Sequence, residues 1–376
     1  MKVVIAIDSF KGCMSSITAG NAAKNGILSV TDAEVSVFPI ADGGEGTTHV
    51  LTEGLKGSFV NVRVHGPLGD ITESVYGILP DNKTAVMEMA SASGITLIPE
   101  DRKNPLIANT AGVGEMILDA VKRGCREFII GIGGSGTTEA GIGMLYALGY
   151  RFYDSEGMEV QPYLKYMDSI IRIDGELVPA EIDDCRFHVA CDVTNPLCGE
   201  NGAVFIYGKQ KGVKPEQMPE FDNLLSCFAD LAEKYSGLNV KEKPGSGAAG
   251  GLGFAFSNFM KNVELLPGIQ VVCETIGVRS AMADADYVIT GEGKIDMQTI
   301  NGKVPYGIAS IAKEFGCKVL AFGGKVEDGA PEILYPMIDK CITITHPDMP
   351  LDIALKEDVA SENMKNSVAK YFTEIL

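Results

Sequence analysis

Four carboxylates and three lysines stand where chemistry on a phosphate could be done. Asp8, Asp42, Asp192 and Glu292 each follow a short aliphatic run, and Lys11, Lys211 and Lys294 lie near them in sequence or in loops of the same kind. Phosphoryl transfer asks for such parts: carboxylates to hold a divalent cation, ammonium groups near the migrating phosphoryl, N–H donors around the phosphates, and a group to orient the attacking hydroxyl. Taken singly, each carboxylate fits a helix cap or a solvated loop equally well. The set points to the chemistry. His49, His65, His188 and His346 form no Ser/His/Asp or metal-ligand pattern and are read as bystanders.

Three glycine-rich segments could cradle the anion. Gly131-Ile132-Gly133-Gly134-Ser135-Gly136-Thr137-Thr138 follows an aliphatic run and precedes an amphipathic stretch, so free N–H groups of Gly133 and Gly134 could face a phosphate at a helix start. A tight strand-to-helix turn would need the glycines but not the added hydroxyls of Ser135 and Thr137. Pro244-Gly245-Ser246-Gly247-Ala248-Ala249-Gly250-Gly251 contains the G-x-G-x-x-G spacing without a preceding strand. A flexible lid and an anion-binding turn through Gly247 and Gly250 both fit it. In Thr290-Gly291-Glu292-Gly293-Lys294-Ile295-Asp296, opposed charges crowd what reads as a tight loop after a strand, with Gly291 and Gly293 free to bring backbone close to a phosphate.

The elements that must carry these residues read as α/β. Val3 to Ile7 and Glu34 to Ile40 are strands, and Ser15 or Ser16 caps a helix reaching about Leu28. From Phe59 the texture changes to turn-linked runs, Val60 to Val64, Glu73 to Leu79 and Ala85 to Met89, as in a mixed sheet. Helices are expected over Ala111 to Arg123 and Ala140 to Leu148, with strands over Glu127 to Ile132 and Phe187 to Ala190. Asp286 to Thr290 and Lys318 to Phe322 return to the opening style around a helix from Val304 to Phe315. The expected architecture is two α/β domains. Residues 1–58 and 284–376 form a Rossmann-like domain, and 59–283 form an inserted α/β domain with a mixed sheet.

Composition bounds the partners. A net charge of −18 over 376 residues argues against nucleic acid, whose phosphates are bound chiefly by Lys and Arg. Nine cysteines, an odd number without a C-x-x-C pair, argue against a disulfide framework or a zinc site. The opening apolar run is too short for a signal peptide, and no later one reaches the length of a membrane span. A cytoplasmic protein is expected, with the formation of homo-oligomers left open.

Several motifs in order resemble the type I glycerate kinase family. They are Ala-Ile-Asp-Ser-Phe-Lys-Gly (6–12), Ala-Asp-Gly-Gly-Glu-Gly-Thr (41–47), Gly-Pro-Leu-Gly (66–69), Glu-Met-Ala-Ser-Ala-Ser-Gly (88–94), Ala-Cys-Asp-Val-Thr-Asn-Pro-Leu (190–197), Gln-Lys-Gly (210–212), Gly-Ala-Ala-Gly-Gly-Leu-Gly (247–253) and Ile-Thr-Gly-Glu-Gly-Lys-Ile-Asp-x-Gln-Thr (289–299). The resemblance implies ATP and Mg²⁺ as cofactors and D-glycerate as substrate, with 2-phosphoglycerate favoured over the 3-phospho isomer as product. It also implies flavodoxin-like and restriction-endonuclease-like topologies for the two domains.

On strand-end position and charge, Asp192 and Glu292 are expected to hold Mg²⁺, Lys11 and Lys294 to neutralise anionic groups, and Asp8 or Asp42 to orient the hydroxyl. Ser9, Asn195 and Lys211 join the glycine-loop residues as substrate or phosphate contacts. The chain departs from the family at Ile7, usually Pro, and at 109–112, which lacks a Tyr. It departs again at Ser135-Gly136-Thr137-Thr138-Glu139-Ala140-Gly141, usually Ser-Ala-Thr-Asn-Asp-Gly-Gly. Glu139 carries its carboxylate one methylene further, and Thr138 replaces an amide by a hydroxyl. Two rival readings stand beside this one: an enzyme acting on another small hydroxy acid or sugar acid, and a non-enzymatic sensor of a phosphorylated acid.

Overall fold

The computed structural model describes residues 1–10, 12–41, 44, 46–300 and 303–376. Lys11 and Asp42, both expected at the site, lie outside the described residues. The chain divides into two compact units, Met1–Asp42 with His49–Leu55 and Ile269–Leu376, and Gly43–Thr48 with Lys56–Gly268.

The first unit is built on a parallel five-stranded sheet in the order Lys340–Thr343, Lys318–Val326, Tyr287–Ile295, Lys2–Ile7, Glu34–Pro39. Its central strands are continuous aliphatic runs because both faces are covered. Ile5, Ile289, Leu320 and Phe322 pack with Ala23 and Ile27 of the helix Ser16–Leu28 and with Met364, Val368 and Phe372 of the helix Glu357–Ile375. The two helices touch at Gly26, where a Cβ would stand 2.4 Å from the Lys365 carbonyl oxygen. Ser15 caps the first helix by accepting from the Thr18 N–H. Ser16 donates to the Ile7 carbonyl and accepts from the Ile40 N–H, tying together the ends of both opening strands.

The second unit carries a mixed six-stranded sheet in the order Asn262–Leu266, Arg186–Ala190, Glu127–Gly131, Thr84–Glu88, Ile71–Ile78, Ser58–His65. The first four are parallel, and Ile71–Ile78 runs antiparallel to the neighbours on both its sides. In its core Phe128 stacks on Phe187, ring centroids 5.1 Å apart, and Phe256 packs tilted against Phe187 at 5.7 Å.

The fold class is the one the sequence implies, a doubly covered parallel sheet from both chain ends with a mixed-sheet insertion. The divisions fall elsewhere. The sequence boundaries at 58/59 and 283/284 compare with 55/56 and 268/269, since Ile269 packs against the helix Val304–Glu314, 2.7 Å from where a Gly307 Cβ would be. The strand expected to stop at Thr290 runs on to Ile295, and its neighbour runs to Val326 rather than Phe322. They stay paired because a Cβ at Gly291 would lie 2.1 Å from the Phe322 carbonyl oxygen and one at Gly324 would lie 2.6 Å from that of Gly293. The expected tight loop is therefore a strand extension. Neither Gly291 nor Gly293 has a positive φ.

Two more expectations change. The helix expected from Ala140 begins at Ile142, because Ala140 and Gly141 both take positive φ. The segment expected as lid or anion turn is packed: Ser246, Ala248 and Gly250 are buried, with Cβ positions 2.1 Å from the Pro196 carbonyl oxygen at Gly247 and 2.0 Å from that of Thr137 at Gly250. Gly291→Ala should cost about 1–3 kcal/mol of unfolding free energy, the usual range for overpacking a close contact. Urea unfolding of the pair checks it; an unchanged midpoint would show that the strands can part without loss.

Candidate functional site

Each unit contains a cavity lined in part by residues the sequence singled out. In the first unit a cavity of about 430 Å³ opens beyond the carboxyl ends of the strands, the place where open α/β sheets bind ligands. Asp8, Ser9, Glu292, Gly293, Lys294, Asp296 and Lys303 supply its polar side. Phe10, Val304, Ile344, Leu351 and Leu355 form an apolar wall. Alternation along the extended strand puts Glu292 and Lys294 on one face. Asp8 is fixed where the Asp8 N–H donates to the Gly291 carbonyl, and its own carboxylate accepts from the Ser9 N–H at 2.7 Å.

Glu292 is the most enclosed charge of this group, at 9% exposure. Its Oε1 accepts from the Thr299 hydroxyl at 2.7 Å and its Oε2 lies 3.7 Å from Lys303 Nζ. Burial pushes the Glu292 carboxyl up from the usual range, while Thr299 and Lys303 hold it back. Asp296 goes the other way. Burial would raise it, but the Gln298 N–H and the Lys303 ammonium, 3.3 Å away, outweigh that and lower it. Lys294 Nζ reaches Glu327 at 2.7 Å and Asp296 at 3.4 Å. Thr299 and Lys303 went unread in the sequence: neither follows an aliphatic run, and the only signal was that Thr299 closes the last motif and Lys303 lies four residues beyond it.

In the second unit a cavity of about 360 Å³ is lined by Gly133, Gly134, Ser135, Asp192, Tyr207 and Lys211, among others. The N–H groups of Gly133 and Gly134 make no hydrogen bond among the described residues. Lys211 is buried and donates from Nζ to the Ser135 hydroxyl and the Thr137 carbonyl, both at 2.7 Å. Burial pulls the Lys211 ammonium down to about 7, against an opposing pull from Glu139. Asp192 accepts from the Gly268 N–H at 2.8 Å. Asn195 does not line the cavity; its amide donates to the Asn201 carbonyl and accepts from the Tyr207 hydroxyl, which does line it. Gly247, Gly250 and Gly291 serve close backbone approaches, as described above. Asp192 and Glu292 lie in different units.

A sequence profile described as the glycerate kinase family matches residues 3–375. The chain belongs to the glycerate kinase family. Its similarity to a glycerate kinase of Halalkalibacterium halodurans is 40% identity, over 94% of this chain and 93% of that one. To a glycerate 2-kinase of Escherichia coli it is 40%, over 92% and 90%. A crystal structure from Salmonella typhimurium LT2, assigned as a glycerate kinase 2, superposes with a TM-score of 0.89 at 37% identity, covering 100% of this chain and 98% of that one. Membership in this kinase family removes the non-enzymatic sensor reading. No helix of the described residues is long and apolar enough to cross a membrane.

For this glycerate kinase family member, Glu292→Gln should lower kcat at least about a hundredfold, the scale of losing a charge aimed at a transition state, with Tm near that of the parent. Near-normal turnover, or an unfolded variant, would make Glu292 structural. Thr299→Val removes a hydrogen bond that favours ionised Glu292, so its carboxyl should rise further. The acid limb of the kcat–pH profile should then move to higher pH. An unmoved limb would detach Glu292 from the rate.

Proposed function

We propose that this protein transfers the γ-phosphoryl group of ATP to D-glycerate, forming 2-phosphoglycerate, in the cytoplasm. The observation that carries the reading is the family match across residues 3–375, and one relative is named for the 2-position. The cavities support a division of labour. The first has an apolar wall that suits a nucleotide base and a polar side, with Lys294 and Lys303, that suits its phosphates. The second is small and offers Lys211, Ser135 and two backbone N–H groups, which suits the carboxylate of a three-carbon hydroxy acid.

Among the described residues no group of three or more His, Cys, Asp or Glu side chains could hold a metal ion. Mg²⁺ needs no such group when it arrives with phosphates, because it keeps several waters and takes one or two carboxylates. Glu292 and Asp8, on the same cavity, would supply them. When bound, the ion would neutralise phosphate charge. Nine cysteines, an odd number without a C-x-x-C pair, support a reducing compartment.

The departure at Thr138, Glu139 and Ala140 favours one second reading, a different small hydroxy acid or sugar acid as acceptor. An ATP-coupled assay over a panel of such acids, with ³¹P NMR of the product, separates the two. D-Glycerate should give the highest kcat/KM and a 2-phospho product, and dependence on added Mg²⁺; a better substrate elsewhere in the panel, or a 3-phospho product, would replace the reading. Lys211→Met, which keeps the volume of a buried chain while removing its charge, should raise KM for glycerate more than tenfold and leave KM for ATP within about twofold. Equal effects on both would place Lys211 outside the acid site.

A further inference from the structure

Behind the Ser135 turn lies a second buried charge that the reading above does not use. Glu139 is fully buried, and its carboxylate oxygens meet no donor in good hydrogen-bond geometry, although Thr110, Ile142 and Gly141 stand close enough to favour its ionised form. The hydroxyls of Thr137 and Thr138 beside it are also buried and unpaired. A carboxylate is not placed so without cost, because a buried charge lacking partners is strongly destabilising. Lys211 has the matching difficulty. Its ammonium is buried, and its two acceptors, the Ser135 hydroxyl and the Thr137 carbonyl, are neutral.

We propose that Glu139 is a positioning residue for anion binding: it is the counter-charge that keeps Lys211 protonated behind Ser135, so that the cavity with Gly133 and Gly134 binds the carboxylate of the hydroxy acid. The inference rests on the hydroxy-acid reading of that cavity. A desolvated ammonium attracts an anion more strongly than a solvated one, but only while it keeps its proton. Burial pushes Lys211 down and Glu139 up, and against the opposing pulls of Glu139 on Lys211 and of Thr110, Ile142 and Gly141 on Glu139 each comes to about 7, so both groups titrate near neutrality.

Other charged or titratable groups stand near. Cys191, Asp192 and Tyr207 share the cavity, Lys209 lies on the same turn as Lys211, and the backbone of Lys103 packs on Gly212. Of these and Glu139, Glu139 is the one whose charge bears on Lys211. Around Glu139 itself Thr110, Ile142 and Gly141 do not titrate but pull its carboxyl back down toward the ionised form. The pair therefore acts as a unit, and removing the carboxylate leaves the lysine to burial alone.

The test is a lysine-side-chain NMR titration of the full chain labelled with ¹³C-lysine, from pH 5.5 to 9.5, with the Lys211 signal assigned by its loss in Lys211→Met. In Glu139→Gln the Lys211 midpoint should fall by about one pH unit or more, and Glu139→Asp should restore much of it. In parallel, KM for D-glycerate should rise with pH through the Lys211 midpoint, and in Glu139→Gln that rise should begin at lower pH. An unmoved Lys211 midpoint overturns the proposal. So does a moved midpoint with an unmoved KM profile. Failure of the glycerate reading shows separately, as absence of turnover by the parent protein, and the lysine titration still decides whether Glu139 holds the proton on Lys211.

Discussion

Two strands of the first unit come closer at their ends than side chains would allow, and the cavity there depends on it. With no Cβ at Gly291 or Gly324, the backbones at Phe322 and Gly293 close in, and Tyr287–Ile295 and Lys318–Val326 stay paired past the edge of the aliphatic core. Strand geometry then does what a loop would not: residues two apart share a face. Glu292 and Lys294 are presented together, and Asp296 follows just beyond the strand end, within reach of Lys294 and Lys303. A side chain at position 291 would push the strands apart and release this alternation.

Buried charge recurs in both units, and each time it is tied to chemistry more readily than to stability. Replacing a buried pair with apolar groups often leaves a protein equally stable or more so. Glu292 nonetheless keeps a hydroxyl and an ammonium around it, and Lys211 keeps two oxygens within hydrogen-bonding distance. What such arrangements give is a charge with little water around it, which interacts strongly with an incoming anion or cation.

The aliphatic runs made the strands of both sheets legible, because a strand covered on both faces leaves a continuous hydrophobic signature. Residues at the ends of those runs, Asp8 and Glu292 among them, were legible as well, since strand ends in α/β sheets are where ligands sit. What stayed hidden depended on distance in three dimensions. Gly247 and Gly250 look in sequence like a phosphate loop or a flexible one; only the carbonyls of Pro196 and Thr137 show why a Cβ is absent. Lys303 and Thr299 reach Glu292 by a turn that no periodicity announces. Ile269 reads like the inserted domain until its contact with the helix at Gly307 is seen.

The position of Lys2–Ile7 in the first sheet bears on how the chain is made. Tyr287–Ile295 flanks it on one side and Glu34–Pro39 on the other, so its second neighbour is synthesised long after it. The helix Ser16–Leu28 waits still longer, since Gly26 meets Lys365 near the last residues. Lys56–Gly268, by contrast, is contiguous and contains the six strands of its sheet. On a ribosome the insertion can condense as it emerges, while the strand Lys2–Ile7 must remain unburied on one side until Tyr287–Ile295 is out. A strand made before its partner is thus covered after the insertion, and for that interval Val3 to Ile7 is an exposed β-prone segment that the cell must keep from pairing elsewhere.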